Sequence, residues 1–216
     1  MNNKKVLIGL PRSGSSWVQQ FVDAHNKKYF NTHTIIDQFG GSEFFDENNF
    51  TFSINNKQIT LLNVDEKINF LEHEKINNRF YSIKIFLDQI YDKQKWFYNF
   101  YNDWDIIKLI RENSFDQFIS DMVHTPSKKE ILIRELNANQ NDYILEFLDW
   151  HNKLYSFKTN NTLIYENLNH LTLEDMFGVI LNKHEIEKKL NNKYDQLFDR
   201  YDEVKNIFSK LTVDSN

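Results

Sequence analysis

An apolar run that stops at a glycine- and serine-rich corner and passes at once into an amphipathic stretch constrains this chain more than any other feature. The segment reads Val6-Leu-Ile-Gly9-Leu-Pro11-Arg12-Ser13-Gly14-Ser15-Ser16-Trp17-Val18. A short apolar run closed by Gly and Pro predicts a buried strand over Lys4–Leu10. From Ser13 to about His25 the residues Trp17, Val18, Phe21 and Val22 share one face, which predicts a helix. A helix N-terminus carries unpaired N–H groups and partial positive charge, so such a turn suits an anion. Gly14 permits close approach of the backbone. The N–H groups and hydroxyls of Ser15 and Ser16 offer donors, and Arg12 adds a charge-assisted contact.

What the loop lacks narrows its chemistry. A Walker A loop reads G-x-x-x-x-G-K-[ST], with its Lys on the β- and γ-phosphates and its hydroxyl on Mg²⁺. Gly9 and Gly14 keep that spacing, but Ser15 stands where the Lys belongs, and the positive charge has moved to Arg12. The expectation is a grip on a nucleotide phosphate without ATP or GTP hydrolysis.

Further along, Thr51–Ile54 and Gln58–Leu62 flank Asn55-Asn56-Lys57 and predict a hairpin. Asp65–Asn78 predicts a helix capped by Asp65. Tyr81–Phe86 and Asp105–Ile110 predict two more strands. After Arg111-Glu112-Asn113, the residues Phe115, Phe118, Ile119, Met122 and Val123 form the core stripe of a helix that Pro126 ends. A longer helix is expected over about Asn139–Phe157 and a strand over Thr162–Tyr165. The tail, about Glu185–Leu211, repeats apolar residues at steps of four and three. That predicts a long amphipathic helix lying on the domain, with a homodimer contact as the alternative.

Strands alternating with helices predict one α/β domain over residues 1–216, a mainly parallel sheet in three layers with helices on both faces. Ligands in such sheets bind beyond the carboxyl ends of the strands. Pro11–Ser16, the segment after Lys84, and Arg111 are therefore expected at one rim.

Composition excludes several classes. The net charge of −5 gives no global basic field for nucleic acid. With no Cys there is no disulfide and no thiolate metal site, and the expected location is the cytoplasm. No apolar run reaches the roughly 20 residues of a membrane span. A first strand near residue 4 leaves no signal peptide expected.

The run Leu10-Pro-Arg-Ser-Gly-Ser-Ser-Trp17 resembles the 5′-phosphosulfate-binding loop, P-[KR]-[ST]-G-[ST]-[ST]-W, of sulfotransferases that use 3′-phosphoadenosine 5′-phosphosulfate (PAPS). The resemblance implies a P-loop NTPase-like sulfotransferase fold, closest to soluble bacterial or viral-type members. It implies PAPS as co-substrate, 3′,5′-ADP as product, and no metal. The acceptor implied is a hydroxyl or amine of a carbohydrate or small metabolite. Pro11, Arg12, Ser13, Gly14, Ser15, Ser16 and Trp17 would bind the 5′-phosphosulfate. Arg111 and Ser120 resemble the family's 3′-phosphate pair, an Arg at a strand end and a Ser on the next helix. Many members place that Arg eight residues before the Ser; here Glu112 holds that position and Arg111 lies nine before Ser120. Leu163-Ile-Tyr165-Glu166-Asn-Leu168 is similar to a Tyr-Glu-x-Leu segment of the family, which implies Tyr165 near the adenine and Glu166 as a helix cap or a brace.

The implied reaction roles fall to Arg12 on the leaving 5′-phosphate, Lys84 on the transferred sulfuryl or the bridging oxygen, and Glu43 as general base, with His33 and Asp37 behind it. His124 and His151 read as structural. Two other functions fit the loop: a P-loop nucleotide or small-molecule kinase, and a nucleotide-binding protein of this fold without turnover.

Overall fold

The computed structural model describes residues 5–15, 18, 50–54, 57–76, 82–169, 171–173 and 198–214. The fold is α/β. Strand β1 (Lys5–Gly9) is followed by the hairpin β2 (Phe50–Ile54) and β3 (Lys57–Leu61), helix α1 (Val64–Ile76) and strand β4 (Ser82–Phe86). Two short 3-10 turns lead to α2 (Gln94–Phe100) and β5 (Asp105–Ile110). Then come α3 (Ser114–His124), α4 (Pro126–Asn137), α5 (Asp142–Ser156), β6 (Asn161–Ile164) and, among the described residues of the tail, α6 (Tyr201–Asp214).

Four strands make a parallel sheet in the order β4-β1-β5-β6, and β2 and β3 pair separately as the expected antiparallel hairpin. Register fixes β1 in the middle: Leu7 lies opposite Lys84 of β4 and Ile107 of β5. Side chains alternate between faces along a strand, and both sets are buried here. Val6, Ile8, Ile106 and Ile110 join one core cluster with Phe97, Tyr101 and Phe157. Leu7, Ile107 and Leu109 fall on the opposite parity and are equally buried. A sheet covered on both faces is what continuous apolar parallel strands require, and it is consistent with three layers.

A second cluster joins the helices after β5. Phe118, Ile119 and Met122 of α3 pack with Leu132 and Leu136 of α4, Ile144 and Leu148 of α5, and Val204 and Phe208 of α6. The described part of the tail therefore spends its apolar face within the chain.

Several boundaries differ from expectation, each for a local reason. Asn63, not Asp65, caps α1: its Oδ1 accepts the Glu66 N–H at 2.9 Å, while Glu66 Oε2 accepts the Leu62 N–H at 2.8 Å. Pro126 does more than end α3. It opens α4, a separate helix that the sequence reading left out, because proline's fixed φ suits the first helical turn. Asn139 does not begin the next helix; its φ of 54° places it in the left-handed region just after α4, and the Gln140 N–H closes onto the Glu135 carbonyl at 2.9 Å. Helix α5 starts at Asp142 instead, with Glu135 Oε2 accepting the Tyr143 N–H at 2.9 Å. Strand β6 stops at Ile164, and Tyr165 opens a 3-10 turn, Tyr165–Asn167. Of the expected tail helix, residues 185–197 lie outside the described residues; residues 198–200 are not helical and lead into α6, where Arg200 grips Glu203 through Nε and Nη2 at 2.6 Å each and Asn137 Oδ1 through Nη1 at 2.8 Å.

Candidate functional site

The chain runs from β1 to β4 on one side, then across to β5 on the other, so the order reverses around β1. The carboxyl end of β1 is thus a topological switch point, where open α/β sheets bind ligands. Pro11–Ser15, Arg111 and Tyr165 all lie at this rim, directly after β1, β5 and β6.

The loop after β1 has unusual backbone. Arg12 has a φ of 61° and Gly14 a φ of 87°. A non-glycine residue held there costs about 1–3 kcal/mol, and such strain gathers at functional sites. The Arg12 side chain is exposed, so its charge is open to solvent at the turn. The Ser13 N–H bonds the Leu10 carbonyl at 3.2 Å, and the Val18 N–H bonds the Gly14 carbonyl at 3.2 Å, the first turn of a helix on which Ser15 also sits. Ser13 is fully buried, and its Oγ has no hydrogen-bond partner. A Cβ on Gly14 would lie 2.2 Å from the Tyr165 ring, so the aromatic face rests directly on the loop's glycine. An exposed guanidinium and a helix start on one strained turn suit an anion, while the Ser13 hydroxyl is turned inward against Gly9.

Two contacts from distant sequence hold this turn. Gln117 Nε2 of α3 donates to the Pro11 carbonyl at 2.7 Å, and Arg111 Nη1 donates to the Arg12 carbonyl at 3.4 Å. Arg111 in turn lies 5.3 Å over the Tyr165 ring and 3.9 Å from Glu166 Oε1 through a buried Nε that has no hydrogen-bond partner. Glu166 accepts the backbone N–H groups of Glu112 at 3.0 Å and Asn113 at 3.1 Å. It braces the start of α3 from across the rim. Asn113 caps that helix through Oδ1, which accepts the Asp116 N–H at 3.0 Å.

Ser120 sits buried on α3, and its carbonyl faces His124 Nδ1 at 2.7 Å; no hydrogen bond joins Ser120 to Arg111. Lys84 lies in β4 at the register of Leu7, two residues below the Gly9–Phe86 pair at the rim. Ser16, Trp17, His33, Asp37 and Glu43 lie outside the described residues.

Sequence reasoning missed Gln117. Its signal was a polar residue inside the apolar stripe of α3, where it is 1% exposed. His151 is buried, and its Nε2–H donates to the Arg111 carbonyl at 3.2 Å. Burial lowers its pKa below the ordinary 6.5, opposed by that carbonyl and by Glu166. With the folded value depressed, the unfolded chain takes up the proton first. Stability is then full above about pH 6.5 and declines as pH falls toward the lowered folded value. The urea midpoint should drop between pH 7.5 and pH 5.5, and His151→Gln should flatten that drop; an equal drop in the variant would refute the assignment.

Beside the loop lies a cavity of about 270 Å³. Leu10 and Pro11 form its wall toward β1, and Tyr143, Phe147 and Trp150 of α5 its aromatic wall. Its charged lining is Asp88, Asp121, Glu146 and Lys128, of which Lys128 Nζ pairs with Asp121 Oδ2 at 2.6 Å.

No group of three metal-ligating side chains occurs among the described residues, and none of their helices is long and apolar enough to cross a membrane. Compared with protein-family models and with curated proteins, the sequence matches none.

Proposed function

We propose that this chain is a sulfotransferase of the P-loop-like kind, moving a sulfuryl group from PAPS to a hydroxyl or amine acceptor. The observation that carries the reading is the strained Pro11–Ser15 turn at the switch point, with Arg12 exposed on it and Arg111 and Tyr165 closing beside it. The loop resemblance supplies the chemistry; the rim geometry supports it.

In this reading the turn holds the 5′-phosphosulfate and Arg111 answers the 3′-phosphate. The acceptor oxygen forms a bond to sulfur as the bond from sulfur to the bridging oxygen breaks, and that electron pair leaves on the 5′-phosphate, beside Arg12. The acceptor proton passes to a carboxylate base, for which Glu43 is the candidate. Transfer through a loose transition state asks the protein for positioning and charge stabilisation above all. Lys84 is assigned to the transferred group.

A second reading is a nucleotide-binding protein of this fold without turnover. It is favoured by Glu112 at the expected Arg position and by the hold of Glu166 on Arg111.

Thermal unfolding with 3′,5′-ADP, ADP and ATP–Mg²⁺ tests both. A ligand at a hundred times its Kd stabilises by about 2.7 kcal/mol. The expected result is a rise with 3′,5′-ADP that Arg12→Ala removes, together with transfer of labelled sulfate. A rise with ATP–Mg²⁺ alone would refute the proposal in favour of a kinase, and a rise without transfer to a broad acceptor panel would favour the second reading.

A further inference from the structure

Among the described residues, the cavity beside the loop is lined by the carboxylates of Asp121 and Glu146, with Asp88 at its edge, and by the Lys128 ammonium. Asp121 is 6% exposed, yet only its Oδ2 is used, by Lys128; Oδ1 has no hydrogen-bond partner among the described residues. Oδ1 is not one of the fully buried unpaired atoms, so it stays open to a donor that enters the cavity. The field at the cavity is negative: burial and then the charges of Asp121, Glu146 and Glu135 push the Tyr143 phenol above its usual range. Tyr143, Phe147 and Trp150 give a wall of ring faces, which attract cations as well as apolar bodies. At about 270 Å³ the space is near the small end of small-molecule pockets. Pro11 belongs both to this cavity and to the strained turn, where Gln117 fixes its carbonyl.

We propose that the cavity binds a small organic amine, its ammonium on Asp121 and Glu146 and its ring on the α5 aromatics. This rests on the sulfotransferase reading for one word: the bound molecule would be the acceptor, held by its ammonium while a hydroxyl elsewhere on it reacts. The ammonium is a handle and not the nucleophile, since a protonated nitrogen has no free electron pair. Contact with Pro11 places any ligand here next to the group-transfer turn.

Benzylamine, benzyl alcohol and benzoate are matched probes of positive, neutral and negative charge. In ligand-observed NMR titrations at pH 7 with the full chain, benzylamine should bind about tenfold more tightly than benzyl alcohol, roughly one charge-assisted hydrogen bond. Benzoate should bind more weakly than either. Asp121→Asn should erase the preference, and Glu146→Gln, at an exposed position where folding is not at stake, should reduce it. Equal binding of the three probes, a preference for benzoate through Lys128, or an undiminished preference in Glu146→Gln would overturn the assignment. A preference for benzylamine without stabilisation by 3′,5′-ADP would keep the amine site and remove its role as an acceptor site. Stabilisation by 3′,5′-ADP without an amine preference would overturn the amine site and leave the sulfotransferase reading standing.

Discussion

Gly14→Ala is expected to lower stability and to abolish nucleotide binding together. The backbone term alone, an L-residue at a φ of 87°, costs about 1–2 kcal/mol. The new methyl would also sit 2.2 Å from the Tyr165 ring, so the ring must leave its place. That displacement removes the aromatic face under Arg111 and disturbs the side chain tied to the Arg12 carbonyl. Urea unfolding of Gly14→Ala, Tyr165→Ala and the double variant separates the two causes. If the ring overlap matters, adding Tyr165→Ala to Gly14→Ala costs less than Tyr165→Ala does in the native chain. A Gly14→Ala protein with the native midpoint and native response to 3′,5′-ADP would sink this account of the loop.

Phe118→Ala is the substitution expected to cost most stability, about 3–5 kcal/mol for a fully buried aromatic. Total stabilities of domains lie near 5–15 kcal/mol, so this one change takes a large share. Phe118 is 0% exposed, with ring centroids 5.1 Å from Phe147, 5.6 Å from Phe208 and 6.0 Å from Tyr143. Its removal unfastens α6 from α3 and α5 at the same point. Hydrogen exchange in α6 should rise beyond the global loss of stability, while the backbone of β1 and β5 keeps its relative protection. Uniform loss of protection would show that the sheet and the helical cluster unfold as one unit. Tyr143 and Phe147 also wall the acidic cavity, so amine binding should weaken in the same variant.

How far the residues alone could reach depends on the range of the physics. Strand β1 was legible as an apolar run closed by Gly and Pro, β4 by the alternation of Ile83 and Ile85 with Ser82 and Lys84, and β5 matches Asp105–Ile110 at both ends. The apolar stripe of α3 was legible for the same reason, since burial imposes its period directly. Helix α4 was not, because Pro126 acts as a stop or a start according to the backbone before it. The start of α6 at Tyr201 was hidden, because a pattern of apolar spacing runs on through non-helical residues 198–200 without a mark. At the rim, the loop announced itself through its glycines and hydroxyls. The long-range partners of that loop did not. Nothing local in Gln117 says that its amide reaches Pro11, nor in Glu166 that its carboxylate takes the N–H groups of Glu112 and Asn113. The cavity was hidden likewise, since Asp88, Asp121 and Glu146 come from three separate segments.

The central position of β1 has a consequence for the order in which the protein is made. Strand β1 is flanked by β4 and β5, both of which emerge much later than it does. The turn that follows it is tied down by residues 99 and 106 positions further on. A nascent chain therefore carries its loop unshaped until α3 exists, and unroofed until Tyr165 leaves the ribosome. Contacts so distant in sequence slow folding, because loop closure must precede their reward. The rim around the turn is thus completed late and in two stages, and a fragment ending before Tyr165 would carry the loop without the ring that covers it.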